Sequence, residues 1–304
     1  MSRFFVSGLI NLETTLAVDG FPLPYFPAHY PFFGIQTTVS GVGFNIASAL
    51  NTLGNQVDFA SLIGADDNAI LVRKALNERG IDDELVLDAV RATAQSVILY
   101  DPQGKREIHT DLKDIQEAIY TANSAESAIR ACDLAVICNI NFSRPLLRAA
   151  RDAGKLVATD VHALENLADA YNRDYMAAAD ILFLSDESLV ESPEKTAREL
   201  IRRYANRVVV IGLGDQGALL AYPKDDFIGR FPAVKVRQVV NTIGAGDALF
   251  SAFLDRFLKT GDPYQSLKAA MVFAAYKIGE KGASQGFLTS DELDAWLAKF
   301  APGE

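Results

Sequence analysis

The seven residues Asn241-Thr242-Ile243-Gly244-Ala245-Gly246-Asp247 place two glycines and an alanine directly before an acid, at the head of an apolar-periodic stretch from about Ala248 to Leu258. The run Val234 to Val240 before them reads as a strand. A strand, a tight glycine turn and a helix start aim successive backbone N–H groups at one point, which suits a phosphate or another anion. An aspartate in such a nest is repelled by the same anion, so it makes a poor ligand. It makes a good base, taking a proton from a hydroxyl that attacks a bound phosphoryl group. The plain alternative is an ordinary helix N-terminus, with Asp247 as a first-turn acid favoured by the helix dipole.

A second glycine cluster, Gly212-Leu213-Gly214-Asp215-Gln216-Gly217, has the G-x-G-x-x-G spacing of a dinucleotide site and would make the chain an oxidoreductase. The context argues against that. A helix should follow, whereas Ala218 to Tyr222 and Pro223-Lys224-Asp225-Asp226 read as a short strand and a turn. No Walker A sequence and no protein-kinase signature occurs, so a phosphoryl-transfer enzyme here must use the nest Gly244-Ala245-Gly246 as its cradle. Its amides would stabilise charge on the transferred group, with Asp247 as base. His29, His109 and His162 show no metal-ligand spacing.

The elements that must hold these residues alternate. Strands are expected at 3–10, 56–62, 134–138, 156–160, 181–184 and 207–212, and helices at 43–53, 67–79, 143–153, 193–204 and 264–280. That order predicts a parallel sheet with helices on both faces. Ser192-Pro193 and Asp262-Pro263 read as helix starts, and Thr289 with Glu292 as a capping box. Residues 12–40, rich in Pro, Gly and aromatics, and residues 84–111, strand-like around Asp101-Pro102-Gln103-Gly104, break the alternation.

The 304 residues are 49% hydrophobic, enough for one large α/β domain, and the net charge of −10 with no long basic run speaks against nucleic acid and anionic membranes as partners. No apolar run is long enough for a membrane span. Cys132 and Cys138 are six apart in what reads as one strand, too far to bridge, and a reduced cytoplasmic setting is expected.

The pattern Asn/Asp-Thr-x-Gly-Ala-Gly-Asp at Asn241–Asp247 resembles the signature of the PfkB/ribokinase family of carbohydrate kinases. Ser40-Gly41-Val42-Gly43-Phe44-Asn45-Ile46-Ala47 is similar to the family's first signature, Leu62 to Asp67 to its Gly-x-Asp turn, and Val208 to Ala218 to the strand and glycine hairpin that flanks the nucleotide in relatives. The resemblance implies a ribokinase-like three-layer α/β/α fold over residues 1–304. It has a mostly parallel central sheet and a small β lid formed by the segments 12–40 and 84–111, which closes over substrate and offers a homodimer surface. It implies ATP and Mg²⁺, and a monovalent cation such as K⁺ as in many relatives. By position, Gly212, Gly214, Gly217, Thr242, Gly244 and Gly246 would bind nucleotide; Asn11, Glu13, Gly41, Gly43, Asn45 and Asp247 would bind a sugar or, as the second choice, a nucleoside. A sensor that binds without turnover is the reading of another class.

Three departures stand out. Asn11-Leu12-Glu13 has one methylene more than the family's Asn-x-Asp, and Asn241 replaces an aspartate, removing a charge near the nest and altering the cation site. The family's Asn-x-x-Glu should fall at Ser185-Asp186-Glu187-Ser188, where neither end matches. Asp160 closes a strand and could face the site. His109 and Asp111 are further candidates in the lid, and Ala270, Phe273, Ala274 and Lys277 could line an adenine pocket.

Overall fold

The computed structural model describes residues 1–121 and 123–300. In chain order its first seven strands are β1 (Arg3–Ser7), β2 (Asn11–Ala17), β3 (Ile35–Ser40), β4 (Gln56–Gly64), β5 (Val86–Val90), β6 (Gln95–Tyr100) and β7 (Arg106–Asp111). Six more follow, β8 (Leu134–Ile137), β9 (Leu156–Ala163), β10 (Ile181–Ser185), β11 (Val208–Gly212), β12 (Ala218–Tyr222) and β13 (Phe227–Phe231). The helices are α1 (Val42–Thr52), α2 (Asp67–Glu78), α3 (Asn123–Ala131), α4 (Arg144–Asp152), α5 (Arg173–Ala178), α6 (Pro193–Tyr204), α7 (Ala245–Thr260), α8 (Pro263–Lys277) and α9 (Ser290–Phe300).

Nine strands form one sheet in the order β13-β12-β11-β10-β9-β8-β1-β4-β5. Every pairing from β11 to β5 is parallel, and β12 and β13 extend one edge as an antiparallel hairpin. Side-chain alternation sorts the core into two layers. Phe4 and Val6 of β1 and Val208 and Val210 of β11 pack with α1, α2, α7, α8 and α9; Phe5, Val209 and Ile211 face the opposite way, with α3 to α6. Strands buried on both faces explain why β8 and β11 read as unbroken apolar runs. Cys132 and Cys138 are both free and buried, at either end of β8.

The expected helix starts are present. Ser192 Oγ accepts from Lys195 N–H, Asp262 accepts from the amides of Tyr264 and Gln265, and Thr289 and Glu292 make a reciprocal capping box. Gly217-Ala218 leads into strand β12 and not a helix, which removes the dinucleotide alternative.

A second, four-stranded sheet has the order β3-β2-β6-β7. Its β2–β6 pairing is parallel and its other pairings are antiparallel. Here the sequence reading needs correction at three places. Residues 86–90 belong to the large sheet as β5, so the second lid segment is shorter than 84–111. The first strand stops at Ser7, and Asn11 and Glu13 stand in β2 of the small sheet. Val234 to Val240 is not a strand: the amides of Val240 and Asn241 both donate to Ile278 O, beyond the end of α8, and Arg237 Nε donates to Tyr276 O. Alternating Val, Lys, Val, Arg mimics a strand, but the Val240 amide and the Arg237 side chain bond to the end of a helix and not to a strand.

Candidate active site

Gly244 ends the approach to α7 with φ 74°, and a Cβ there would lie 2.7 Å from Ala283 O, so both conformation and space require glycine. The 16-residue α7 has no side-chain cap at this end; the Ala245 amide donates to Thr242 O at 3.2 Å, and the next amides, of Gly246 and Asp247, point to the helix start where a ligand can meet them. Around Gly246 there is open space, since a Cβ would meet nothing within 4 Å. This is the geometry an anion cradle needs, with open room directly over an uncapped helix start.

Asp247 lies in the first turn of that helix and is buried. Its Oδ2 accepts from Asn45 Nδ2 at 2.7 Å. Ser40 Oγ lies 3.3 Å from Asn45 Oδ1 and donates at 3.0 Å to Glu13 Oε2. A chain of polar contacts therefore runs from Asp247 through α1 and β3 to β2, with the single Ser40 hydroxyl proton placed between the Glu13 and Asn45 oxygens. Burial pushes the Asp247 carboxyl up from its ordinary value; Asn45, His162 and Lys277 pull it back, and Asp160 adds to the rise. Burial also pushes Glu13 up, against the Ser40 hydrogen bond and the Lys277 charge. A carboxylate held more basic than usual suits proton abstraction.

Asn11 and Glu13 are not a solvated surface pair. Both are buried, Asn11 Nδ2 donates to Ser96 Oγ, and Asn11 Oδ1 and Glu13 Oε1 have no protein partner. Two buried acceptors without donors on neighbouring positions of one strand face call for a ligand that brings hydroxyls.

Arg106 was not named by the sequence, and Lys277 stands elsewhere than expected. Lys277, the last residue of α8, is fully buried and its Nζ donates to Ile243 O, just below the nest. It does not line an open adenine pocket, and Ala270 and Phe273 are core residues. Arg106 of β7 reaches from the small sheet and donates to Thr242 Oγ1 at 2.9 Å, while Ile98 of β6 packs on Ile243 and Ala283. The small sheet thus rests on the nest. Arg106 also lies 4.0 Å from Glu187, one side of the position where the Asn-x-x-Glu element was expected.

The other expected residues take these places in the fold. Gly41 (φ 107°) caps α1, and a Cβ on Gly43 would lie 2.5 Å from the Gly8 carbonyl carbon, so these glycines let α1 approach the turn after β1. Gly212 ends β11, and Gly214 and Gly217, both at positive φ, shape the β11–β12 hairpin at the carboxyl edge of the sheet. Asp160 on β9 does face this edge: its charge acts on Asp247, and its Oδ1 accepts from His162 N–H. His109 and Asp111 pair across from Val97 and Gln95 on the face of the small sheet opposite Ile98, away from the nest. The aromatics Tyr25, Tyr30, Phe32 and Phe33 are exposed.

A mostly parallel three-layer α/β/α sheet carrying a glycine nest, a buried aspartate and a small capping sheet defines a ribokinase-like phosphotransferase acting on an alcohol group. Residues 1–290 match the pfkB family of carbohydrate kinases, and the chain belongs to that family. It is 28% identical over 305 residues to an ATP-dependent ribose-1-phosphate kinase of Halopiger xanaduensis, covering 98% of this chain and 99% of that protein. It is also 28% identical over 282 residues to fructokinase-1 of Zea mays, covering 83% and 86%. The solved structure of a microbiome-derived acarbose kinase superimposes with a TM-score of 0.88 at 27% identity, covering 98% of this chain and 99% of that one.

Proposed function

We propose that this protein transfers the γ-phosphoryl group of ATP to a hydroxyl of a small sugar. The observation that carries the reading is the buried chain Asp247–Asn45–Ser40–Glu13, which joins the base at the nest to a strand face with two unpartnered acceptors. Sugar hydroxyls would donate to Glu13 Oε1 and Asn11 Oδ1. The attacking hydroxyl would displace Asn45 from Asp247 and give it the proton as its oxygen bonds the γ-phosphorus; the β–γ bridge P–O bond breaks and ADP leaves. The amides of Gly244 and Gly246 would hold the charge on the transferred group, joined by that of Ala245 once it leaves Thr242 O. The similarity to a ribose-1-phosphate kinase and a fructokinase along most of the chain supports a sugar before a nucleoside.

Among the described residues no group of three or more His, Cys, Asp or Glu side chains is placed to hold a metal ion. Mg²⁺ would therefore enter on the nucleotide phosphates and neutralise them, with mostly water as its remaining ligands. Gly212 and the β11–β12 hairpin would flank the nucleotide, and the exposed aromatics of residues 25–33 would serve a homodimer contact. No helix among the described residues is long and apolar enough to cross a membrane.

The test is ADP release with Mg-ATP against pentoses, hexoses, their phosphates and nucleosides. A sugar-dependent signal is expected; a signal only with nucleosides would replace the acceptor class. Ligand binding without ADP release would leave the sensor reading. Within that assay Asn45→Ala should raise the acceptor KM by about tenfold or more, the scale of a lost buried hydrogen bond to a charged group, with a smaller change for ATP. Equal losses for both would take Asn45 out of the acceptor pocket.

A further inference from the structure

Many relatives are expected to hold a monovalent cation beside the nest, and the residues here do not fit one. The backbone carbonyl of Ile243, immediately before Gly244, faces the Lys277 ammonium and not open space. The neighbouring position is closed as well. Asn241 Oδ1 accepts from Ile243 N–H at 2.9 Å and its Nδ2 donates to Lys281 O, an arrangement a carboxylate at 241 could not make, because it has no hydrogen to give to a carbonyl. A free cation placed on the Ile243 carbonyl would sit within a few ångströms of a buried ammonium, where like charges repel strongly.

We propose that the Lys277 ammonium is a built-in monovalent cation beneath the glycine nest, a positioning residue that frees nucleotide binding from any need for K⁺. The proposal rests on the nest being the nucleotide-phosphate cradle. Lys277 stands at the C-terminal end of α8, where the helix dipole favours a cation. Around it are the charges of Asp247 on α7, Glu13 on β2, Glu280 after α8 and Arg106 on β7, three acids against one base. Through Ile243 O and the Asn241 bridge to Lys281, the charge ties the loop 241–243 to the end of α8, and so fixes the direction in which the amides of residues 244–246 point. Burial lowers the Lys277 pKa to about 8, while the three acids hold it up, so the group is charged at neutral pH.

The experiment measures the affinity of Mg-AMP-PNP, which needs no acceptor, in tetramethylammonium chloride and in KCl at equal ionic strength. Wild type should bind equally in both. Lys277→Met, which fills the space without charge, should weaken binding about tenfold in both salts, the order expected when one fixed charge is taken from a phosphate site. Lys277→Ala, which leaves a gap, should weaken binding in tetramethylammonium and recover in KCl, a rescue that a merely structural lysine would not show. Thermal unfolding supplies a readout apart from nucleotide. Because folding lowers this pKa from 10.5 to about 8, the unfolded chain carries the extra proton between those values, so this group makes stability rise with pH across that window. Lys277→Met should lose that rise. A wild-type affinity that increases about threefold or more on adding K⁺, or a Lys277→Met variant that binds as wild type does, overturns the proposal. Whether any acceptor is phosphorylated is decided separately by the ADP-release panel.

Discussion

Replacing Asp247 by asparagine lowers kcat by about 10² or more, the range for loss of a general base, and leaves folding and Mg-ATP affinity near wild type. Asparagine keeps the shape, and its Oδ1 can still accept from Asn45 Nδ2 as the carboxylate does at 2.7 Å. What it lacks is basicity. Because burial raises the Asp247 pKa, the folded protein binds the proton more tightly than the unfolded chain. Ionising the carboxylate therefore costs stability, which is lost as pH rises from the group's ordinary pKa through its raised folded value, and the variant should melt no lower than wild type at neutral pH. Steady-state kinetics and thermal melts side by side check this; a kcat within about threefold of wild type would remove Asp247 from the role of base.

Gly43→Ala has the largest expected effect on stability, about 1 to 3 kcal/mol, the usual cost of forcing a methyl into a packed interior. The new Cβ would fall 2.5 Å from the carbonyl carbon and 2.6 Å from the Cα of Gly8. Neither is a side-chain end that can swing aside. Helix α1 would have to move outward, carrying Asn45, its fourth residue, two positions on from Gly43. Denaturant unfolding should therefore show the loss, and the acceptor KM should rise with it. An unchanged midpoint would mean that the β1–α1 approach is slack, and that Gly43 owes its identity to ligand and not to packing.

Much of this site was readable before the fold was known, for a physical reason. The nest and Asp247 are contiguous in sequence, so local turn chemistry and helix-start chemistry suffice to describe them. The parallel sheet covered on both faces was legible because buried strands such as Val208–Gly212 are unbroken apolar runs. Asn45 and Glu13 were reached through resemblance alone, and the structure supplied what joins them. Ser40 lies between them in space, and Gly8, which never looked special, turns out to face Gly43. Lys277 was read as a wall of an adenine pocket, and its place beneath the nest was not legible, because nothing local says that Ile243, 34 residues earlier, will offer it a carbonyl. Helices α3 and α5 were missed because they are short and carry few periodic apolar residues, and Val234 to Val240 misled because pattern cannot show which partner takes a backbone N–H.

The two cysteines of the chain are enclosed at the ends of β8, and burial holds both thiols above their ordinary pKa, so neither offers a reactive thiolate to an alkylating reagent. That makes the protein ready for single-site labelling without first stripping its native thiols. A cysteine introduced at Phe33, 99% exposed on the connection between β2 and β3, would carry a maleimide dye as the one reactive position. Its fluorescence would then follow the small sheet directly as nucleotide and acceptor are added.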